Sequence, residues 1–286
     1  MKVRKAVITA GGWGTRFLPI TRSQPKEMLP LINKPLIHYA VEEAKKSGID
    51  QVILVTALGK NAIEDYFDRS FELEYFLEQR GELRLLQEMR ELSKLVNICY
   101  IRQKEQLGLG HAILATKDIV GGEPFAVLLP DDIIDSEVPA LKQLLKVYER
   151  YQTNVIAVER VSEHDTVKYG IIEPKKISDR LHQVLSLVEK PEPKDAPSNL
   201  GIVGRYILRP EIFDALKLTR PGKKGEIQVT DALQLLLEEQ KIVACEFEGV
   251  RYDTGTPQGW LEATIALALS HPDLGPQLRE YLRKFL

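Results

Sequence analysis

The amino-acid sequence predicts an α/β protein built on a parallel sheet with helices on both faces. Short apolar runs, such as Val3–Thr9 and QVILVT from Gln51, are typical of buried strands. Segments with one apolar helical face lie between them, as in Pro35–Ser47, which is followed by the helix-ending residue Gly48. Strands that alternate with helices favour parallel pairing, with helices covering the sheet.

In the first half of the chain this alternation continues to about residue 161. One stretch interrupts it, because residues 70–95 are charged, apolar and helix-prone together, which predicts a helical insertion between the second and third strands. The elements predicted after Pro35–Ser47 are, in order, strand 51–56, helix 61–68, the insertion 70–95, strand 96–102, helix 111–118, strand 124–130, helix 141–151 and strand 154–161.

From Lys168 the pattern changes to short strands joined by polar, proline-rich turns. A loop at 252–259 leads into a helix from about Trp260, and a small amphipathic helix follows at the C-terminus. The elements predicted between these points are strands 169–174, 181–191 and 201–208, an exposed loop 192–199, helices 210–216 and 229–240, and strand 242–248.

The composition excludes several classes of protein. The chain has 286 residues and a formal net charge of −2, which gives no basis for an electrostatic grip on nucleic acid or on an anionic membrane. We find no apolar run long enough for a signal sequence or a membrane span, and therefore expect a cytoplasmic protein. Cys99 and Cys245 lie far apart in strand-like flanks, so we expect buried free thiols, with a disulfide as the weaker alternative.

The stretch TAGGWGTRFLPITRSQPKEMLP, residues 9–30, follows the first strand and carries glycines and fixed charges together. Glycines at the carboxyl end of a strand let backbone N–H groups approach a phosphate, and Arg16 adds a cation suited to phosphate oxygens. The stretch matches neither the dinucleotide fingerprint, since Phe17 stands where the third glycine is needed, nor the Walker A loop. The alternative is a turn-rich connector in which Lys26 and Glu27 are solvated.

Two segments carry carboxylates that suit a metal ion. Asp131 and Asp132 come directly after a buried strand, where oxygen ligands favour Mg²⁺. The alternative is an Asx turn and helix cap, because the segment from Asp132 to Ser136 precedes a helix. Asp253, in the loop YDTGTPQG, is either a second ligand of the same metal or a turn residue.

Two further segments suit a base and a sugar phosphate. Gln103 ends a strand and Gly108 precedes a helix, and an amide side chain offers a donor and an acceptor to a nucleobase edge. Glu189 and Lys190 also end a strand, where a carboxylate can accept from sugar hydroxyls and an ammonium can neutralise phosphate. The alternatives are a helix-initiating loop and an exposed ion pair. His111 is interpreted as a helix N-terminal residue rather than a catalyst, and motifs for nucleophilic or zinc catalysis do not occur.

In this order, the motifs GWGTRFLP, PKEMLP, QKEQLGLGHA, LLPDD, YGIIEP, VEKP, GEIQVTDAL and YDTGTPQG resemble those of the sugar-nucleotidyltransferases over nearly the whole chain. KEMLP and the insertion FELEYFLEQR resemble the UTP–glucose-1-phosphate uridylyltransferases more than the thymidylyl or adenylyl branches. YDTG is also similar to the thymidylyl relatives, and Trp13 stands where a smaller apolar residue is common.

The resemblance implies a Rossmann-like nucleotidyltransferase fold, with a mixed, mostly parallel sheet flanked by helices and a smaller sugar-binding β region. It implies one domain, residues 1–286, with a nucleotide-binding part (1–160), a sugar-phosphate-binding part (161–260) and C-terminal helices (261–286). The implied reaction is UTP plus glucose 1-phosphate to UDP-glucose plus pyrophosphate, with Mg²⁺ as cofactor, in a homodimer or homotetramer. Glucose-1-phosphate thymidylyltransferase and a catalytically silent sugar-nucleotide-binding relative stay open as alternatives.

The resemblance also implies roles for individual residues. Arg16 would hold the β- and γ-phosphates, Lys26 would lie near the α-phosphate, and Lys190 would hold the phosphate of glucose 1-phosphate. Asp131 would be the main Mg²⁺ ligand and Asp253 the second. The nucleotide-binding set is Ala10, Gly11, Gly12, Gly14, Thr15, Arg16, Lys26, Glu27, Gln103, Gly108 and Asp131, and the sugar-phosphate set is Gly170, Glu189, Lys190 and Val203.

Overall fold

The structure is a computed structural model, and it describes residues 1–222 and 225–285. The strands are β1 Lys5–Thr9, β2 Pro30–Leu31, β3 Lys34–Pro35, β4 Gln51–Thr56, β5 Asn97–Arg102, β6 Phe125–Leu128, β7 Asp132–Asp135, β8 Asn154–Arg160, β9 Gly170–Ser178, β10 Leu181–Glu189, β11 Leu200–Leu208, β12 Ile242–Glu246 and β13 Val250–Asp253. The helices are α1 Leu36–Lys46, α2 Asn61–Phe67, α3 Phe71–Gln79, α4 Leu83–Leu92, α5 Leu109–Leu114, α6 Lys117–Val120, α7 Ala140–Tyr151, α8 Ile212–Leu218, α9 Val229–Leu236, α10 Pro257–Ser270 and α11 Leu274–Leu282.

Nine strands form one sheet, in the order β5-β4-β1-β6-β11-β8-β12-β10-β9. β5, β4, β1 and β6 run parallel to their neighbours in this group, and β12 runs parallel to β8. β11 is antiparallel to both β6 and β8, and β10 is antiparallel to β12 and β9. The sheet is therefore mixed, as predicted. Most of its strands run in one direction, and only β10 and β11 among these nine are reversed, although half of the neighbouring pairs in this order are antiparallel.

The reversal of β10 relative to β9 has a simple physical cause. β9 and β10 are joined by a tight turn after Ser178, and a hairpin can only pair its strands antiparallel. The strands predicted from residue 168 onward belong to the large sheet, and β9 and β10 form its edge rather than a sheet of their own.

Helices cover both faces of this sheet, as the alternation in the sequence predicted. On one face Val7 packs in a cluster with residues of α5, α8 and α9, and on the other Ile8 packs with residues of α1, α2 and α7. Side chains that alternate along β1 thus enter opposite cores, because successive residues of a strand point to opposite faces. In the described part of the chain, none of the helices could cross a membrane.

Several predicted elements differ from the structure in detail. The insertion 70–95 is the pair α3 and α4, separated by Gly81 in the left-handed region with a φ of 70°. The helix predicted at 111–118 is two short helices, α5 and α6, and the helix predicted at 229–240 ends at Leu236. Cys99 and Cys245 are free thiols, as expected, but only Cys245 is buried, since Cys99 is partly exposed.

The clearest omission is the two-stranded ribbon of β7 and β13. The sequence predicted a turn or helix cap at Asp132 and a loop at Asp253, but these residues begin β7 and end β13, and they are paired in register. The following helix α10 begins at Pro257, where the Thr256 side chain accepts a hydrogen bond from the Gly259 N–H. This ribbon lies next to the candidate site and positions part of it.

Candidate active site

The glycine loop lies at the carboxyl end of β1, next to the ends of β4 and β5. Gly14 has a φ of 65°, a left-handed conformation that favours glycine, and it precedes a 3-10 helix at Thr15–Phe17. A Cβ at Gly11 would lie 2.7 Å from Gln103 Oε1, whereas a Cβ at Gly12 would meet no atom within 4 Å. Gly11 therefore permits a close approach to Gln103, and Gly12 leaves open space above the loop.

Lys26 and Glu27 are not solvated, so the interpretation of the stretch as a plain connector was wrong. Lys26 Nζ donates to Asp131 Oδ2 at 2.6 Å. Glu27 is 1% exposed, and Lys60 Nζ donates to its Oε2 at 2.6 Å, while its Oε1 is buried and has no hydrogen-bond partner among the residues that the structure describes. Burial raises the pKa of Glu27 above its ordinary value, although the Lys60 and Lys26 ammonium groups oppose this.

Lys26 and Asp131 each stabilise the charged form of the other. Burial lowers the pKa of Lys26, but the carboxylates of Asp131 and Glu27 more than offset it, so the pKa lies above its ordinary value. Burial likewise raises the pKa of Asp131, and the nearby Lys26 ammonium outweighs this, so the pKa lies below its ordinary value. The pair is thus held in its ionised form at neutral pH.

The β7–β13 ribbon brings Asp253 to Asp131. Thr254, which follows β13, donates its N–H and its hydroxyl to the carbonyl oxygen of Asp131, both at 2.8 Å. Gly255 lies beside both carboxylates. A Cβ on this glycine would lie 2.9 Å from Asp253 Oδ1 and 3.0 Å from Asp131 Oδ2. Arg16 is close as well, and its Nη1 donates to the Gly255 carbonyl at 3.3 Å.

The residues present fit a divalent cation of the Mg²⁺ type. A carboxylate oxygen of Asp131, in the turn between β6 and β7, and one of Asp253, at the end of β13, converge beside a glycine, so a side chain does not fill the space between them. Carboxylate oxygens are the hard ligands that Mg²⁺ takes, usually one or two of them together with phosphate. Among the described residues, no group of three or more His, Cys, Asp or Glu side chains could hold a metal by itself. Substrate oxygens would therefore have to complete the ligand set.

Asp132 has a structural role, and neither alternative that the sequence offered for it is correct. Its Oδ1 accepts from Arg251 Nε at 2.5 Å, and its Oδ2 accepts from the Gly204 N–H at 2.8 Å. Arg251 also contacts Glu159 and donates to the Tyr169 hydroxyl at 3.2 Å. These bonds occupy both carboxylate oxygens of Asp132, and they fix β7 and β13 to the body of the sheet.

Gln103 is 5% exposed and directly follows β5, where its backbone N–H donates to the Thr56 carbonyl at 2.8 Å. Its Nε2 lies 3.3 Å from the Gly108 carbonyl oxygen and 3.0 Å from His111 Nδ1. Gly108 has a φ of 90°, and a Cβ there would lie 2.8 Å from the Cβ of Glu226. The amide therefore lies where β5, the glycine loop and the start of α5 meet.

Glu189 and Lys190 lie at the other end of the site, at the end of β10. Glu189 Oε2 accepts from the Thr230 hydroxyl at 2.7 Å, and Lys190 Nζ lies 2.8 Å from Glu189 Oε1. The predicted ion pair therefore exists. Lys190 has a φ of 48°, an uncommon conformation for a non-glycine residue. Gly170 pairs with Glu189 in the sheet and packs directly against Thr230.

Most of these residues line one cleft with two lobes, which we call the base lobe and the sugar lobe after the groups that the sequence predicts for them. The base lobe has a volume of about 390 Å³ and the sugar lobe about 780 Å³. Gly14, Thr15, Lys26 and Glu226 line both lobes, so they form the junction. The other predicted residues in the base lobe are Gly11, Gly12, Glu27, Gln103, Gly108 and Asp131, and those in the sugar lobe are Arg16, Glu189 and Lys190.

Four predicted residues do not line the described walls of the cleft. Asp253 lies beside Gly255, which lines the sugar lobe, and the other three lie behind the cleft. The N–H of Ala10 is already bonded to the Val55 carbonyl at 2.8 Å, which leaves only its carbonyl free. Val203 is 2% exposed and packs in the core. Gly170 supports Glu189 from behind through Thr230.

Glu226, Gln228 and Asp231 also lie along the sugar lobe, although the sequence had not indicated a role for them. Burial, and then the charge of Glu189, raise the pKa of Asp231 above its ordinary value. All three lie in or next to the motif GEIQVTDAL, which was the available signal. Lys223 and Lys224, which precede this motif, lie outside the described residues.

The chain is similar to known proteins over nearly its whole length. The model of the family described as "Nucleotidyl transferase" matches residues 5–269. The UTP–glucose-1-phosphate uridylyltransferase of Staphylococcus epidermidis is 49% identical over 283 residues, which cover 99% of this chain and 98% of that protein.

Solved structures give the same picture. A crystal structure of UDP-glucose pyrophosphorylase complexed with UDP-glucose is 42% identical, with a TM-score of 0.87, and the match covers 94% of this chain and 100% of that one. A UTP-bound UGPase from Acinetobacter baumannii is 38% identical, with a TM-score of 0.91, over 99% of this chain and 100% of that one. The similarity thus extends over both lobes of the cleft.

Proposed function

The chain belongs to the nucleotidyl transferase family, and we propose that it is the enzyme that joins UTP and glucose 1-phosphate to give UDP-glucose and pyrophosphate. Relatives with this activity in their names match nearly the full chain, and similar structures hold UDP-glucose and UTP. The observation that carries the proposal is the two-lobed cleft, because its two lobes meet at Gly14, Thr15 and Lys26. A nucleotide in one lobe and a sugar phosphate in the other would meet at that junction.

The reaction is a direct displacement. A phosphate oxygen of glucose 1-phosphate forms a bond to the α-phosphorus of UTP, while the bond from that phosphorus to the bridging oxygen breaks and pyrophosphate leaves. The protein has to orient the two phosphates and stabilise their charge, and a covalent enzyme intermediate is not needed. This agrees with the absence of a nucleophile motif from the sequence.

The nucleotide is bound by the loop and the base lobe. Backbone N–H groups of the glycine loop face the phosphates, Arg16 holds the β- and γ-phosphates, and Lys26 neutralises charge at the α-phosphate. Gln103 and the backbone around Gly11 and Gly108 bind the uracil. Since Lys26 contacts Asp131 at 2.6 Å in the structure, it reaches the junction without a rearrangement of the loop. The carbonyl of Ala10 and the packing of Thr15 and Glu27 complete this side of the cleft.

Asp131 and Asp253 would hold the Mg²⁺ ion. When bound, Mg²⁺ would withdraw charge from the reacting phosphate oxygens. Lys26 keeps Asp131 ionised and oriented before the substrate arrives, and the Thr254 bonds keep the backbone of Asp131 in place. Arg16, at the Gly255 carbonyl, adds positive charge on the same side.

The sugar phosphate is bound at the end of β10. Lys190 holds its phosphate, and Glu189 accepts from glucose hydroxyls with the backbone near Gly170 and Val203 in support. Thr230 fixes one oxygen of Glu189, which leaves the carboxylate oriented toward the sugar lobe. On this assignment residues 1–160 bind the nucleotide, 161–260 bind the sugar phosphate and 261–286 form the C-terminal helices.

We further propose a cytoplasmic homodimer or homotetramer. Large apolar side chains are exposed on the α3–α4 insertion and near the C-terminus, namely Phe71, Tyr75, Leu83, Tyr281 and Phe285. Apolar surface of this kind often marks an interface. Light scattering on the purified protein gives the mass directly, and a monomer at micromolar concentration would overturn this part of the proposal.

Pyrophosphate release tests the function. The assay contains Mg²⁺ and glucose 1-phosphate and compares UTP, dTTP, ATP, GTP and CTP, with an EDTA control. We expect strong preference for UTP and loss of activity with EDTA. Preference for dTTP would move the protein to the thymidylyltransferases, and no release with any nucleotide from protein that binds UDP-glucose would indicate a silent relative.

A further inference from the structure

Two neighbouring groups, the carbonyl of Gly108 and the ring of His111, together select one orientation of the Gln103 side-chain amide. Its Nε2 lies 3.3 Å from the carbonyl oxygen of Gly108, and a carbonyl oxygen can only accept a hydrogen bond. The opposite orientation would place two oxygens against each other at this point. The NH₂ end of the amide therefore faces Gly108, and Oε1 is the end directed away from it.

His111 completes this arrangement. Its Nδ1 lies 3.0 Å from the same Nε2, which is a donor with two hydrogens. Nδ1 must therefore accept, so the ring proton of neutral His111 is on Nε2. Both hydrogens of the Gln103 amide are then used, one by Gly108 and one by His111.

The remaining group of the amide faces the base lobe. Gln103 Oε1 lies 2.7 Å from the position that a Cβ on Gly11 would occupy, and Gln103, Gly11 and Gly108 all line this lobe. Oε1 has no hydrogen bond to the residues that the structure describes. It is thus a fixed acceptor, with no donor available beside it on the same amide.

A fixed acceptor distinguishes pyrimidines by the atom at ring position 3. Uracil and thymine carry N3–H, a donor that matches Oε1, whereas cytosine carries an unprotonated N3 and would set two acceptors against each other. We propose, on the basis of the function proposed above, that His111 is a positioning residue which fixes the Gln103 amide and so excludes cytosine nucleotides. The sequence analysis had given His111 no role beyond the start of a helix.

Two substitutions of nearly equal size test this role. His111→Asn retains an oxygen that can accept from Gln103 Nε2, whereas His111→Leu has the same number of side-chain heavy atoms and cannot accept. The measurements are kcat/KM for UTP and for CTP, with KM for glucose 1-phosphate as the internal control. Binding of UMP and CMP, measured by calorimetry, gives the same comparison without turnover.

We expect His111→Asn to keep kcat/KM for UTP within about threefold of the unsubstituted protein. His111→Leu leaves an amide hydrogen without its partner, which corresponds to a loss of about tenfold for UTP. For this variant, kcat/KM for UTP divided by kcat/KM for CTP should fall by a similar factor, and KM for glucose 1-phosphate should not change. If His111→Leu lowers UTP and CTP use equally, or if both variants behave alike, His111 is only structural and the proposal is overturned.

Nuclear magnetic resonance of ¹⁵N-labelled histidine gives a second test that does not need a variant. It distinguishes a protonated ring nitrogen from an unprotonated one, and we expect Nδ1 of His111 to be unprotonated at pH 8. A proton on Nδ1 would overturn the proposal. If the unsubstituted enzyme fails to use UTP but UMP still binds more tightly than CMP in a His111-dependent manner, the proposed function fails and this inference stands.

Discussion

At the scale of single residues, the junction of the cleft depends on Lys26 and Asp131. Their side chains are about one-fifth and one-quarter exposed, so the contact is partly screened by solvent and contributes modestly to stability. Its main effect is on position, because it keeps an ammonium and a carboxylate at the point where the two substrates would meet. Substitutions here should therefore affect activity more than folding.

Asp131→Asn and Asp253→Asn should each lower kcat by about 100-fold or more, because each removes charge that a bound Mg²⁺ would need. Thermal unfolding should change little. Steady-state rates at several Mg²⁺ concentrations measure the effect, and Asp179→Asn, at a fully exposed carboxylate, is the matched control. Near-normal turnover in either variant would contradict the metal assignment.

Lys190 allows charge and backbone effects to be separated. A non-glycine residue in the left-handed region costs roughly 1–2 kcal/mol, and Lys190 has a φ of 48°. Lys190→Ala and Lys190→Gly both remove the ammonium, so both should raise KM for glucose 1-phosphate about 10-fold or more. The glycine variant should be the more stable of the two by about 1 kcal/mol. Equal stability in chemical denaturation would mean that the backbone is not strained here.

At the scale of elements, the β7–β13 ribbon connects parts of the chain that are far apart in sequence. It pairs Asp132 with Asp253. Arg251, on β13, donates hydrogen bonds to Asp132 on β7 and to Glu159 on β8. A four-residue strand such as DIID or VRYD has no periodicity that distinguishes it from a loop. The position of the second carboxylate could therefore be suspected from the sequence, but its pairing could not be predicted.

The α3–α4 insertion has its own electrostatic anchor. Glu74, on α3, is 5% exposed and accepts hydrogen bonds from Arg69 Nε and Nη2 and from Arg90 Nε, at 2.7 to 2.9 Å. These bonds lower the pKa of Glu74 from 4.5 to about 2. Arg90 belongs to α4, so this carboxylate joins the two helices.

A lowered pKa fixes the sign of the pH dependence. The stabilisation from Glu74 is fully present above its unfolded pKa of 4.5 and is lost as the pH falls toward about 2. Glu74→Gln should therefore lower Tm at pH 7, and the difference from the unsubstituted protein should be constant down to about pH 5 and then narrow. Thermal unfolding followed by circular dichroism at pH 7, 5, 4 and 3 measures this. A difference that grows toward acid pH would be inconsistent with the Arg69 and Arg90 bonds.

At the scale of the whole molecule, the cleft extends from Gln103 to Lys190 across both halves of the sheet. A ligand that fills both lobes should stabilise the fold more than one that fills a single lobe. UDP-glucose at about 100 times its Kd should add about 2.7 kcal/mol to the free energy of unfolding. At equal concentration, UMP and glucose 1-phosphate should each raise Tm less. Equal shifts for UDP-glucose and UMP would mean that the sugar lobe does not bind the sugar.

Much of the nucleotide side of the site could be predicted from sequence, because its residues follow buried strands. Gly11, Gln103 and Asp131 follow β1, β5 and β6 within a few residues, and the carboxyl ends of parallel strands meet at one edge of a sheet. The same reasoning identified the helices on both faces of the sheet.

The rest depends on pairings between distant segments. β11 lies between β6 and β8 and runs antiparallel to both, and local sequence does not specify this strand order. Glu226 and Asp231 reach the cleft because α9 and the segment before it pack beside β10 and α5, yet nothing in their local charge pattern distinguishes them from surface residues. The contact of His111 with Gln103 likewise became visible only in three dimensions.

The ribbon of β7 and β13 also sets an order for biosynthesis. The glycine loop and Asp131 leave the ribosome long before Val250 and Asp253. The Asp131 carboxylate is therefore synthesised well before the Asp253 carboxylate that lies beside it in the folded chain. A nascent chain released before Val250 has β7 without its partner and Asp131 without the bonds from Thr254. A translation product that stops before Val250 therefore lacks one of the two proposed metal ligands, even if its N-terminal strands have folded.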